Sequence, residues 1–287
     1  MAKLDGARLP MCERYETRRS IAKAVSGAAL SGAIAVFVHI PRAVLADQIT
    51  TCTALQFCYC VDADFSGAID GHVIQVRKAI REQREQGKAI GYISIPLSTL
   101  EGSYFGLNVQ IAGDVKTSVE ARFGANSAWM LNPGAKDWSL PDNATGADYM
   151  LMWTRVLEGS DGLGSDFDFV YFVGPSDFAR TLQLTGQGDM ERLEAYYDAR
   201  AATDERLRKV NRRQFRDYYA LRASVAFSLG SHDEWNIVRG INERRRLANP
   251  TQGIANQLGV FFDGRPVGPG LYETPIATGT VGACRPK

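Results

Sequence analysis

Between residues 89 and 201 one pattern recurs three times: a short apolar run, a polar turn, then a stretch of helical periodicity. Ala89–Ile95 is the first run. It ends at Pro96, and a helix is predicted over 108–123 with Val115, Val119 and Phe123 on one stripe. Ser127–Leu131 is the second, stopped by Asn132-Pro133-Gly134 and followed by a helix over 146–157. Phe167–Val173 is the third, ending at Gly174-Pro175-Ser176-Asp177, with helical periodicity resuming over 190–201. Near-continuous apolar strands alternating with helices predict βαβ units and a small parallel sheet with flanking helices. The fold class expected is therefore α/β.

The flanks read differently. Residues 71–87 carry Val73, Val76 and Ile80 on one face and Arg77, Lys78, Arg81, Glu82, Arg84 and Glu85 on the other, a helix ended by Gly87. Residues 212–229 and 231–248 predict a C-terminal helical pair, the second opened by Ser231 and Glu234 at capping-box spacing. Residues 257–263 run into Gly264-Arg265-Pro266, which predicts a short edge hairpin.

The first 46 residues read as an address. Arg18-Arg19, an apolar residue two positions on and Lys23 precede a Gly/Ala/Ser-rich apolar run over 24–40 and the small-residue pattern Val44-Leu45-Ala46. A charged, an apolar and a small-residue region in that order form a signal peptide, and the arginine pair resembles the twin-arginine type. The rival reading is a membrane anchor, which wants about 20 strongly apolar residues. The expectation is thus a 47–287 chain, periplasmic or secreted, with the twin-arginine export machinery as a partner and no membrane span. Removing the seven Lys/Arg and three Asp/Glu of the first 46 residues from 33 and 32 leaves a net charge of −3, which argues against nucleic acid.

Cys52, Cys58, Cys60 and Cys284 are the four cysteines beyond residue 46, an even number that suits disulfides in an oxidising compartment. A Cys58–Cys60 bridge would strain its geometry, so one of the cluster is expected to reach Cys284. The alternative use, a metal site, lacks a CxxC and has only His72 and His232 to draw on.

Three constellations offer chemistry. Asp62, Asp64, Ser66 and Asp70, with Gly67 among them, resemble an EF-hand calcium loop, with Val73 where its bidentate Glu belongs; the other reading is a turn in which Asp70 caps the next helix. In open parallel sheets ligands bind outside the carboxyl ends of the strands. The loops there make Asp177, Glu101 and Asp148 candidate catalytic carboxylates, with Ser98, Tyr104, Asn132, Trp138 and Ser176 as ligand-binding candidates. Finally, Tyr92-Ile93-Ser94-Ile95-Pro96-Leu97, the second run ending Asn132-Pro133 and the third over 167–173 resemble the nucleoside 2-deoxyribosyltransferase-like α/β fold across about residues 89–200. That resemblance rests on strand order. It implies a nucleophilic Glu on a later helix; Glu191 and Glu194 stand on such a helix, outside the family's sequence context. Two functions follow as expectations. One is an exported hydrolase or transferase acting on a small sugar- or nucleoside-like molecule. The other is a non-catalytic exported ligand-binding or scaffold protein.

The address is testable directly. Arg18→Lys with Arg19→Lys should leave the precursor in the cytoplasm. Normal export of that variant, followed by cell fractionation, removes the twin-arginine reading.

Overall fold

The computed structural model describes residues 47–97, 101–124, 126–252, 256–268, 276 and 279–285. The 1–46 address and Ser98 lie outside the described residues. Two strands open the chain, β1 (Gln48–Cys52) and β2 (Cys58–Asp62), paired antiparallel with Cys52 opposite Cys58. Helix α1 (Ser66–Glu85) follows, burying Ile69, Val73, Val76 and Ile80. It begins a turn and a half before the predicted start, so Ser66 and Asp70 are helical.

The main sheet holds β3 (Ala89–Ser94), β4 (Ala128–Leu131), β5 (Phe169–Phe172), β6 (Gly259–Phe262) and β7 (Arg265–Pro266), in spatial order β4-β3-β5-β6-β7. The first four strands are parallel and β7 returns antiparallel. Helices α2 (Phe105–Phe123) and α3 (Gly146–Glu158) carry the chain from β3 to β4 and from β4 to β5. Four more, α4 (Pro175–Leu182), α5 (Asp189–Ala201), α6 (Arg212–Leu221) and α7 (Leu229–Ala248), separate β5 from β6. The protein is thus α/β, with a mostly parallel sheet flanked by helices. The hairpin expected near 257–266 is present, but its first strand is an interior one, laid parallel against β5. Asp263 and Gly264 make its turn, both with positive φ (52° and 78°), as a tight two-residue hairpin loop requires.

Strand β3 is flanked closely on both sides. Gly91 of β3 meets Met130 and Phe169 so closely that a Cβ would lie 2.3 Å from the Met130 sulfur. Any side chain there would push β3 off its neighbours. The outer face of β4 is closed by side chains from α2: Glu120 accepts the Met130 N–H at 2.8 Å, and Lys116 donates to the Met130 carbonyl at 2.8 Å. At the opposite end, Pro266 has no N–H to offer.

The C-terminal helical pair needed correction. Helix α6 stops at Leu221, a 3₁₀ turn covers Val225–Phe227, and α7 starts at Leu229. Its N-cap is Ser228, whose hydroxyl accepts the Ser231 N–H at 3.3 Å. The predicted capping box therefore does not form. Glu234 turns inward instead, because β3 offers it two buried hydroxyl donors. Among the described residues no helix is long and apolar enough to cross a membrane.

The cysteines pair as Cys52–Cys58 and Cys60–Cys284, six and 224 residues apart. The expected tie between the two ends of the 47–287 chain is present. Loop-closure entropy grows with the loop, so the first bridge contributes about 2 kcal/mol and the second about 5 kcal/mol. Cys60→Ser with Cys284→Ser should therefore lower the denaturation midpoint more than Cys52→Ser with Cys58→Ser. Equal losses in urea unfolding would mean that the long loop carries no extra weight.

Candidate functional site

Chain connections leave β3 toward β4, then cross back to β5 and continue to β6. The reversal falls between β3 and β5, which makes the carboxyl ends of these strands the place to look for a ligand. At the end of β3 the chain fills that place with its own helix α6. The Tyr219 hydroxyl donates to Asn108 Oδ1 at 2.8 Å and accepts the Tyr104 N–H at 3.0 Å, while Asn108 Nδ2 donates to the Pro96 carbonyl at 2.7 Å. Gly102 lies so close under α6 that a Cβ would sit 2.1 Å from the Gln214 carbonyl oxygen. Glu101 accepts a hydrogen bond from the Gln214 side chain. The Tyr104 hydroxyl donates to Asp204 at 2.5 Å, and its ring is buried.

The end of β5 is built differently. Pro175 at the first turn and Asp177 at the third position start α4, and the Asp177 carboxylate accepts the Gly174 N–H at 3.2 Å. The Tyr171 hydroxyl lies 3.0 Å from both Asp177 oxygens, and Arg180 lies 3.3 Å from one of them. Asp177 is buried, which raises its pKa; the Gly174 N–H and the Tyr171 hydroxyl oppose that rise, and the nearby Asp263 charge adds to it. Asp263, from the β6–β7 turn, accepts both the N–H (2.8 Å) and the hydroxyl (2.7 Å) of Ser176. That approach requires Gly174, since a Cβ there would lie 2.3 Å from the Asp263 Cβ. Ser176 and Asp177 thus both lie just beyond the carboxyl end of β5, bound by different partners.

The remaining candidates sit in other networks. Asp148 is fully buried in the capping box of α3; it accepts from the Thr145 N–H and hydroxyl and from the Asp62 N–H at 3.0 Å. Asn132 accepts the Gly134 N–H at 2.9 Å, an Asx turn, and Trp138 packs half-buried against the core. Glu194 pairs with Arg212 and Arg216 on the α5–α6 surface, which lowers its pKa. Asp62 caps the 3₁₀ turn Ala63–Phe65 through the Asp64 N–H at 2.9 Å. Asp70 forms an ion pair with Arg155 at 2.6 Å. Helix formation from Ser66 spreads the four oxygen residues along a turn and a helix face. Among the described residues no three of His, Cys, Asp and Glu gather as a metal set.

Beside the β5–β6 rim lies a cavity of about 310 Å³. Pro175 and Ala179 of α4, Leu184, Ala223, Phe227 and Phe262 supply its apolar wall. Neither Asp177 nor Asp263 lines it. Leu221 and Phe227, which also line it, are exposed. The 3₁₀ turn between α6 and α7 forms part of the wall and is pinned by the Val225 N–H to the Val173 carbonyl, 3.2 Å.

Four buried or rim carboxylates escaped the site reasoning from sequence: Asp263, Glu158, Asp233 and Glu234. Asp263-Gly264 is a hairpin-turn signal, and it could have placed Asp263 at the end of a strand. Nothing local marks Glu234, whose partners Tyr92 and Ser94 are 142 and 140 residues away. Burial pushes the Glu234 carboxyl up from 4.5 to about 7, against the opposing pull of the two hydroxyl donors. No protein-family model, curated protein or solved structure matches the chain.

Glu234 gives a signed prediction. Its folded-state pKa lies above its unfolded value, so the fold holds the proton more tightly. Its own contribution to stability is fully present below about pH 4.5 and is lost as pH rises through about 7, by about 3 kcal/mol in all. Glu158 and Asp177, also raised by burial, act in the same direction. Urea midpoints at pH 5 and pH 7.5 read this, and Glu234→Gln should remove most of the difference. A variant with the full dependence would assign it to the other carboxyls.

Proposed function

We propose that the protein is exported and holds a small, largely apolar ligand without transforming it. The observation that carries this is the cavity beside the carboxyl ends of β5 and β6: its volume, about 310 Å³, suits a small molecule, and its wall is mostly apolar. Hydrolysis or transfer on a sugar or nucleoside calls for two carboxylates facing a common open space. Here the Asp177 oxygens are occupied by Tyr171, Gly174 and Arg180, and those of Asp263 by Ser176. Glu101 and Asp148 belong to separate networks. These facts favour binding over the deoxyribosyltransferase-like activity. Export is supported by the arginine pair at 18–19 and by the bridging of all four cysteines beyond residue 46, which suits an oxidising compartment.

The test is a thermal-denaturation screen of the oxidised protein with uncharged apolar compounds, such as medium-chain alcohols and aromatic amides, beside nucleosides and sugars. The apolar compounds should raise the melting temperature, because a ligand that binds only the folded state stabilises it by mass action. Ala226→Trp, at an exposed position of the cavity wall, should abolish the rise. Asp177→Asn should preserve it. Stabilisation by nucleosides that Asp177→Asn removes would overturn this reading and restore the enzymatic one.

A further inference from the structure

A second cavity, about 450 Å³, lies between α1, the carboxyl end of α3 and the loop that follows β1. Its wall carries two carboxylates, Asp70 and Glu158, and two guanidiniums, Arg77 and Arg155. The carboxylates are already engaged. Glu158 is buried and accepts the Thr53 hydroxyl at 2.6 Å and the Leu55 N–H at 3.2 Å. Asp70 takes Arg155 Nη1 at 2.6 Å.

The guanidiniums are engaged only in part. Each offers five N–H donors. Arg77 spends one on the Arg155 carbonyl, at 2.9 Å. Its Nε is buried without a hydrogen-bond acceptor among the described residues, the Asp166 carboxylate standing 3.9 Å off. Arg155 spends Nη1 on Asp70, and among the described residues its Nη2 has no acceptor. With one terminal nitrogen used on each guanidinium, the wall carries more unused N–H donors than free acceptors. Val73 and the exposed Ile74 add an apolar flank.

We propose that this cavity is a second ligand site, for a small organic carboxylate held by Arg77 and Arg155 with its carbon body against Val73 and Ile74. A planar carboxylate matches the guanidinium fork and supplies the acceptors that the wall lacks. The site is distinct from the apolar cavity beside β5 and β6, since the two share no lining residue. It is also tied to the Cys52–Cys58 loop, because Glu158 clamps Thr53 and Leu55 within that loop.

Calorimetric titration of the oxidised full chain with succinate, benzoate and inorganic phosphate tests this. Saturable binding of at least one carboxylate, tighter than phosphate, is expected. Arg77→Gln should weaken it roughly tenfold or more, the worth of a charge-assisted hydrogen bond. Ile74→Trp, a change at a position 67 % exposed, should block the cavity with the melting temperature kept. Ala226→Trp should leave carboxylate binding intact, which separates this site from the apolar one. No saturable carboxylate binding, binding indifferent to Ile74→Trp, or phosphate binding as tight as the tighter of the two carboxylates would overturn the assignment.

Discussion

Backbone groups that enter a protein interior need hydrogen-bond partners, and segments outside the strand ladders must find them elsewhere. In this chain the inner face of α7 supplies them. Asn242 exchanges two hydrogen bonds with the backbone of Leu258, just before β6, at 2.7 and 3.1 Å. Asn236 does the same for Ile276, at 2.9 and 3.1 Å. Asp233 accepts the N–H groups of Gly279 and Thr280 and the Thr280 hydroxyl. Glu234, one residue on, receives Tyr92 and Ser94 of β3. A helix with so polar a buried side is unusual on grounds of transfer energy alone. It is stable here because each of these four side chains is matched by a partner.

The same economy runs through the buried carboxylates. Asp148 takes the Asp62 N–H, Glu158 that of Leu55, Asp177 that of Gly174, and Asp233 those of Gly279 and Thr280. Asp148, Glu158 and Asp233 join segments far apart in the chain, whereas Asp177 closes the first turn of its own helix. A carboxylate in such a post has its lone pairs committed. That is why Asp177 and Asp148, predicted for one rim, hold backbone in two separate places while the exposed Glu101 takes the Gln214 amide in a third, and why an apolar cavity, rather than an acid pair, is the stronger pointer to a ligand.

Much of this architecture was legible because it is local. The runs at 89–95, 127–131 and 167–173 are buried on both faces of the sheet, so they read as continuous apolar segments and became β3, β4 and β5. The stripe Val73, Val76 and Ile80 found its buried face in α1. What could not be read depends on distant partners. The Gln48–Cys52 and Cys58–Asp62 strands lean on each other and carry few apolar residues. The Gly259–Phe262 segment reads as an edge because nothing nearby says that Phe169–Phe172 will lie beside it. Asp177 could be placed from its own turn, whereas Asp263 reaches Ser176 across 87 residues of chain. Ser231 and Glu234 had the spacing of a cap, and tertiary packing outvoted it.

The bridge between Cys60 and Cys284 also acts as a record of folding. It joins residues 224 positions apart, so it closes in the right pairing only after other forces have set the two thiols side by side. Those forces are on view: the Gly282 N–H on the Cys58 carbonyl at 2.7 Å, the Cys284 N–H on the Thr50 hydroxyl at 2.9 Å, and Asp233 of α7 on Gly279 and Thr280. The Cys52–Cys58 bridge spans six residues and asks for no tertiary structure to form. Of the two disulfides, only the long one certifies that the noncovalent fold came first.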